Sequence, residues 1–190
     1  YYNSNQISTE DYLKTKVINS LTEYSKSTDL NKFGGRFKYS KVLQIIDNTD
    51  VSITSNITKV KIRRDLNALI NQYSQYEICF GNRFHVNSEG YNIKSTGFKI
   101  ATETETLYLT DTPNPDGLSG IISVIKGTPT SEGKIQIVVQ SAGTVDYVKG
   151  EIKLGTINIT STEIENDIIE IQAYPESNDV IGLRDLYLNF

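Results

Sequence analysis

Thr144-Val145-Asp146-Tyr147-Val148-Lys149-Gly150-Glu151-Ile152-Lys153-Leu154 decides the fold class. Its two alternating runs, Thr144 to Tyr147 and Glu151 to Leu154, flank Val148-Lys149-Gly150. Alternation with period two is the signature of a strand with one face buried. A short polar break ending in glycine supplies the left-handed residue that a tight hairpin needs, so Gly150 is expected at positive φ. Asp146 and Glu151 read as exposed strand residues, whose replacement by alanine should be nearly silent.

Working outward, the same pattern repeats. Strands are expected at 75–80, 92–100, 105–110, 120–126, 134–140, 144–148, 151–154, 156–160, 168–174 and 184–190. Asn114-Pro115-Asp116-Gly117 suits a type I turn, with proline where φ is already correct. Composition agrees: 24 Ile, 11 Val and 19 Thr stand against 4 Ala among 190 residues. Branching at Cβ favours the pleated sheet and costs a helix its χ1 freedom. Short strands at roughly 10-residue spacing favour a sandwich or barrel over a parallel sheet, and the domain reads as antiparallel and β-sandwich-like.

The N-terminal third reads differently. Ser8-Thr9-Glu10-Asp11 is a helix-start signal, with Ser8 as the cap and acids in the first turn. Leu13, Val17, Leu21 and Tyr24 then fall on one helical face, so a helix is expected over 9–26. Phe33-Gly34-Gly35-Arg36-Phe37 reads as an extended piece, and Ser40 as the cap of a short helix with Leu43 and Ile46 on its apolar side. Val51-Ser52-Ile53 and Lys59-Val60-Lys61-Ile62-Arg63 alternate as strands. Residues 66–71 read as a helical turn or a linker. The whole is mainly β: a small α+β unit over 1–66 and the antiparallel domain over 67–190. With no methionine anywhere, the chain reads as a fragment of a longer protein. No apolar run approaches the ~18 residues of a membrane-spanning helix.

Chemistry-bearing motifs are sparse. One His and one Cys exclude a His/Cys metal cluster and an internal disulfide. Cys79 and His85 are six residues apart and lack a visible orienting group; Cys79 reads as a small packing residue. Asp111-Thr112-Pro113-Asn114-Pro115-Asp116-Gly117 resembles a calcium loop only partly: Thr112 stands where the first Asp belongs and Ser123 where the closing Glu belongs. It reads as a turn. No phosphate-cradling glycine motif is present, and Asn56-Ile57-Thr58 and Asn158-Ile159-Thr160 are formal glycosylation sequons read as chance. These readings give no catalytic residue, no cofactor and no metal, and an expectation of no enzymatic activity.

Charge is more informative. The chain carries −4 overall, yet residues 32–64 carry +6 and the remainder −10. Alternation puts Lys59, Lys61 and Arg63 on one side of the expected strand, with Arg64 following. Like charges in a row repel unless solvated or met by a partner, so these four residues form a candidate strip for docking an acidic protein face. Nucleic acid is a poor partner for so acidic a chain without aromatic interleaving. Twelve Tyr and no Trp suit polar protein interfaces more than a sugar-binding platform.

Taken in order, several motifs resemble one family. They are Phe33-x-x-x-Phe37-x-x-Ser40-x-x-Leu43-x-x-Ile46-Asp47, the basic run 59–64, Gly81-Asn82-x-Phe84-His85 and Ser95-Thr96-Gly97-Phe98. Gly143-Thr144-Val145-Asp146-Tyr147-x-x-Gly150-Glu151-Ile152 and Pro175-x-Ser177-x-Asp179-Val180-x-x-Leu183-Arg184 complete the set. From about residue 30 to the end the chain resembles the C-terminal region of the baseplate wedge protein of T-even-type contractile-tailed phages, the gene-six product of the inner baseplate ring. Each motif is a packing or turn signature; their order carries the resemblance. It implies a structural virion protein without enzymatic activity. It also implies that the chain self-associates to join wedges, contacts other wedge subunits and helps carry the switch for sheath contraction. The alternative is a β-sandwich recognition module binding a sugar or receptor.

Overall fold

The computed structural model describes residues 1–4, 9–32, 36–127, 135–181 and 188. Two compact units divide the chain: residues 1–59 with 178–190, and residues 60–177. Among the described residues there are two helices, α1 (Glu10–Ser25) and α2 (Tyr39–Thr49). The nine strands are β1 (Ile62–Asn67), β2 (Tyr73–Cys79), β3 (Lys94–Ser95), β4 (Phe98–Ile100), β5 (Glu103–Pro113), β6 (Ser119–Lys126), β7 (Gln136–Asp146), β8 (Glu151–Thr162) and β9 (Ile168–Ala173). The mainly β reading with helices at the N-terminus stands.

In the first unit, the cap of α1 lies one residue later than expected. Thr9, extended at φ −154°, accepts the Tyr12 N–H at 3.2 Å, while Ser8 lies outside the described residues. The expected face is correct: Leu13, Leu21 and Tyr24 are buried, and Val17 packs against the cluster of Leu21, Tyr24 and Val42. For α2 the cap is not Ser40, which lies inside the first turn; Lys38 precedes the helix without a side-chain bond. Asp179, from the returning C-terminal segment, takes the Tyr39 N–H at 3.4 Å instead. A distant carboxylate at a helix start is favoured by the exposed N–H groups there. The inward face of α2 is Val42, Ile45 and Ile46, joined by Leu188, with Leu43 half-buried beside it. Residues 51–53 are a turn with a single bridge, Tyr2 to Ile53, rather than a strand.

Lys16 and Asp50 tie α1 to the turn after α2, with Nζ to Oδ2 at 2.6 Å. The Lys16 ammonium and then the Ser52 N–H hold the Asp50 carboxyl down to about 2, from 3.8. A carboxylate depressed in the folded state contributes stability above its unfolded pKa and loses it as pH falls through the folded value. Thermal melts should therefore show the first unit weakening from about pH 4 towards pH 2. Asp50→Asn should flatten that slope; an unchanged slope would remove the pair from the account.

The second unit is one antiparallel sheet, ordered β1-β9-β3-β5-β4-β8-β7-β6, with β2 on β8 and a further β5–β6 pairing. The pairings β4–β5, β5–β6, β6–β7, β7–β8 and β8–β4 close a five-membered ring. Each antiparallel step reverses strand direction, so an odd ring closes only if strands bend within it. The longest strands supply the bend by pairing with different neighbours along their length. β8 uses Glu151–Leu154 on β7 and Ile159–Thr162 on β4. Register shifts in β4–β5, β4–β8 and β6–β7 mark the kinks. Inside the unit lie Phe84, Ile93, Phe98, Leu107, Ile122, Val124, Ile152 and Ile171, each at most 2% exposed.

Several sequence expectations change here. The strand expected at 59–63 begins only at Ile62 and runs to Asn67, because its register is set by β9, from Ile62↔Ala173 to Asn67↔Ile168. That strand belongs to the second unit, so a boundary at residue 66 would cut it. Residues 66–71 hold the end of β1 and a turn, not a helical turn. The expected strand 92–100 is broken at Thr96-Gly97, where the chain leaves β9 for β8. The strands expected at 134–140 and 144–148 merge into β7, where Gly143 is paired on both sides, to Ile122 and Leu154, residue 134 lying outside the described residues; those expected at 151–154 and 156–160 merge into β8. The expected strand 184–190 lies outside the described residues except for Leu188.

Candidate functional site

The basic run is the candidate docking surface that the sequence offers. Lys59 is exposed and closes the first unit. Lys61 and Arg63 are exposed on either side of buried Ile62, and Arg64 is half-buried in β1. The alternation is as expected, although only Arg63 and Arg64 stand within a strand. Arg63 is not a free charge. Its Nε lies 3.1 Å from Asp65 and its Nη1 2.7 Å from Glu170 on β9. Lys61 lies over the Tyr174 ring at 5.4 Å. The sequence pattern found the exposed face but not Glu170 on β9 or Tyr174 just after it, both more than 100 residues away.

A second constellation went unnoticed in the sequence. Asp111, read there as the start of a turn, is fully buried on β5. Its Oδ1 accepts the Ile93 N–H at 2.6 Å and its Oδ2 the Tyr147 hydroxyl at 2.7 Å. Burial pushes the Tyr147 phenol well up, and the Asp111 carboxylate adds to the shift, so the hydroxyl remains a donor. Both side chains are sealed from solvent. A substrate has no path to them, and the pair acts as a structural pin between β5 and the β7–β8 hairpin. Asn92 does similar work nearby: its amide donates to the His85 and Tyr174 carbonyls, and its Oδ1 accepts the Tyr174 N–H.

The remaining candidates resolve individually. Cys79 is exposed rather than packed, because Ile78 and Phe80 take the inward positions around it. His85 is also exposed, its backbone N–H held by the Tyr174 carbonyl. Asn114 to Gly117 form the expected turn, closed by Gly117 N–H to Asn114 O at 3.0 Å. Asp116 caps it by accepting from Leu118 and Ser119, which lowers its carboxyl below the usual range. Gly150 has φ +68°, as the hairpin requires. Asp146 is not a silent strand residue, since its Oδ1 accepts the Lys149 N–H at 2.9 Å. The Asn56 amide donates to Asp47 Oδ1 at 2.6 Å. Phe33, Gly34 and Gly35 lie outside the described residues. Among the described residues no three His, Cys, Asp or Glu gather as a metal site, and no helix is long and apolar enough to cross a membrane.

Residues 1–65 match the family model of the baseplate structural protein gp6, C-terminal domain III. The match bears out the resemblance to the gp6 C-terminal region and adds α1, which the ordered motifs left out. It supports a baseplate structural subunit with a place in the virion tail. A structural gp6 domain also accords with a protein that is not an enzyme. No curated protein matches the chain.

Proposed function

We propose that the chain is a self-associating subunit of a contractile-tail baseplate wedge. It joins neighbouring wedges into the inner ring and helps transmit the switch for sheath contraction. The observation that carries this reading is the gp6 match over residues 1–65. Its partners are further copies of itself and other wedge subunits, with no nucleic acid or membrane, and it is assembled in the host cytoplasm. Lys59, Lys61, Arg63 and Arg64 form the strip onto which an acidic neighbour docks. Exposed charges at the rim of a contact act mainly on association rate and orientation, and salt screens them within ~8–10 Å.

The test reverses Lys59 and Lys61 together to Glu and leaves Arg63 in place. Arg63→Glu would set a third acid beside Asp65 and Glu170 and disturb β1–β9 for reasons unrelated to docking. Assembly into wedge complexes should slow by on the order of tenfold at low salt, and the difference should shrink as salt rises. Assembly equal to that of the unaltered chain at every ionic strength would remove the strip.

A further inference from the structure

A strand with a neighbour on one side only leaves a row of N–H and C=O groups able to template another strand, and proteins blunt such edges with charge. Among the described residues the bare edges include three. β1 pairs with β9 alone and carries Arg63, Arg64 and Asp65. β2 pairs with β8 alone and carries Glu77, which meets Lys153 at 3.1 Å. The third edge is the first half of β7. On its β8 side β7 is paired only from Gly143 to Asp146, so no described strand covers the stretch before Gly143 there.

This third edge has no charge to guard it. From Ile135 to Val145 no residue is charged, in a chain of which 22% is charged. Ile137 is 57% exposed. Val138 falls in a register shift, between Ile137↔Ile125 and Val139↔Val124, and pairs with no residue of β6 either. Val138 is thus the bulged residue of this stretch, without a register partner in any described strand. Branched, uncharged sequence on a bare edge is the composition that favours strand addition.

We propose that Ile135–Val139 pairs antiparallel with the same segment of a second copy. The two-fold axis passes through Ile137, which sets Ile137 against Ile137, Gln136 against Val138 and Ile135 against Val139. Two features favour a second copy as the occupant. An antiparallel pair about a two-fold axis is self-complementary by construction. The unit itself carries a net charge of −5 by sequence, so two copies approach with least repulsion along an edge that has none. The inference rests on the self-association in the proposed function and names its surface.

Sedimentation of the 190-residue chain, of Ile137→Lys, of Ile137→Glu and of an equimolar mixture of the two variants tests it. The unaltered chain should shift from monomer to dimer between low and high micromolar concentration. Each variant alone should lose the dimer, because like charges then face each other. The mixture should recover it as a heterodimer. Amide exchange in the unaltered chain supplies a measurement free of substitution: the amides of Ile135–Val139 should gain protection as concentration rises. If either variant dimerises like the unaltered chain, or that protection stays constant while a dimer forms, the edge is overturned and self-association persists through another surface. If the mixture stays monomeric, the pairing across Ile137 is overturned. If the unaltered chain is monomeric throughout, both the edge and the self-association fall.

Discussion

Gly150→Val is expected to destabilise the second unit by about 3–5 kcal/mol, from two effects that add at one site. The first is local: φ of +68° places a side chain in the left-handed region, which costs a branched residue roughly 1–2 kcal/mol. The second is tertiary. A Cβ here would stand 2.9 Å from the Asn82 carbonyl carbon and closer still to its oxygen. That carbonyl belongs to the backbone of the loop after β2, so no flexible side chain can swing aside. Gly117 separates the two effects. It has φ +64° in the β5–β6 turn, but nothing lies within 4 Å of its Cβ position. Gly117→Val should therefore cost only the local part, about 1–2 kcal/mol. Denaturant unfolding of both variants measures the difference, and equal midpoints would mean that the approach of Asn82 to Gly150 is not a constraint.

Tyr147→Phe should cost about 2–3 kcal/mol, although it removes a single oxygen. The hydroxyl is the donor to Asp111 Oδ2, and neither side chain reaches solvent. Phenylalanine leaves a buried carboxylate with one of its two partners missing, and water cannot replace the lost bond without opening the core. Asp111→Ala should be worse, since the Ile93 N–H then loses its acceptor as well. Thermal unfolding that shows Tyr147→Phe within about 0.5 kcal/mol of the unaltered chain would mean that the carboxylate has found another donor.

Period-two alternation is cleanest where one face lies on the core, as in β9, which reads half-buried, buried, half-buried, buried along Ile168–Ile171, whereas β6 is buried on both faces over Ile122–Ile125. Strand ends were less legible. Gly143 and Gly155 look like breaks in a linear reading, yet Gly143 is fixed by neighbours on both sides, which no local signal reveals. The same holds for Asp111. In sequence it is one more acid before a proline-rich turn; only the return of Tyr147 from 36 residues later makes it a buried pin. Cys79 went the other way. A lone cysteine in a strand invites a buried reading, but Ile78 and Phe80 already occupy the core side, and alternation alone puts Cys79 outside. The basic run was legible as a face and illegible as an energy, because Glu170, which takes up Arg63, is distant in sequence.

The pairing of β1 with β9 also sets a waiting time. Roughly 100 residues separate Asn67 from Ile168, and the ladder cannot close before the second strand exists. At about 5–20 residues per second, β1 leaves the ribosome on the order of 5–20 s ahead of its partner. The hairpins β5–β6, β6–β7 and β7–β8 join near neighbours and close while β1 is still alone. For that interval Ile62, Leu66 and the residues between them are an orphan strand beside nascent sheet. Arg63, Arg64 and Asp65, set consecutively inside it, keep so short a segment soluble and slow to join the wrong edge until β9 arrives.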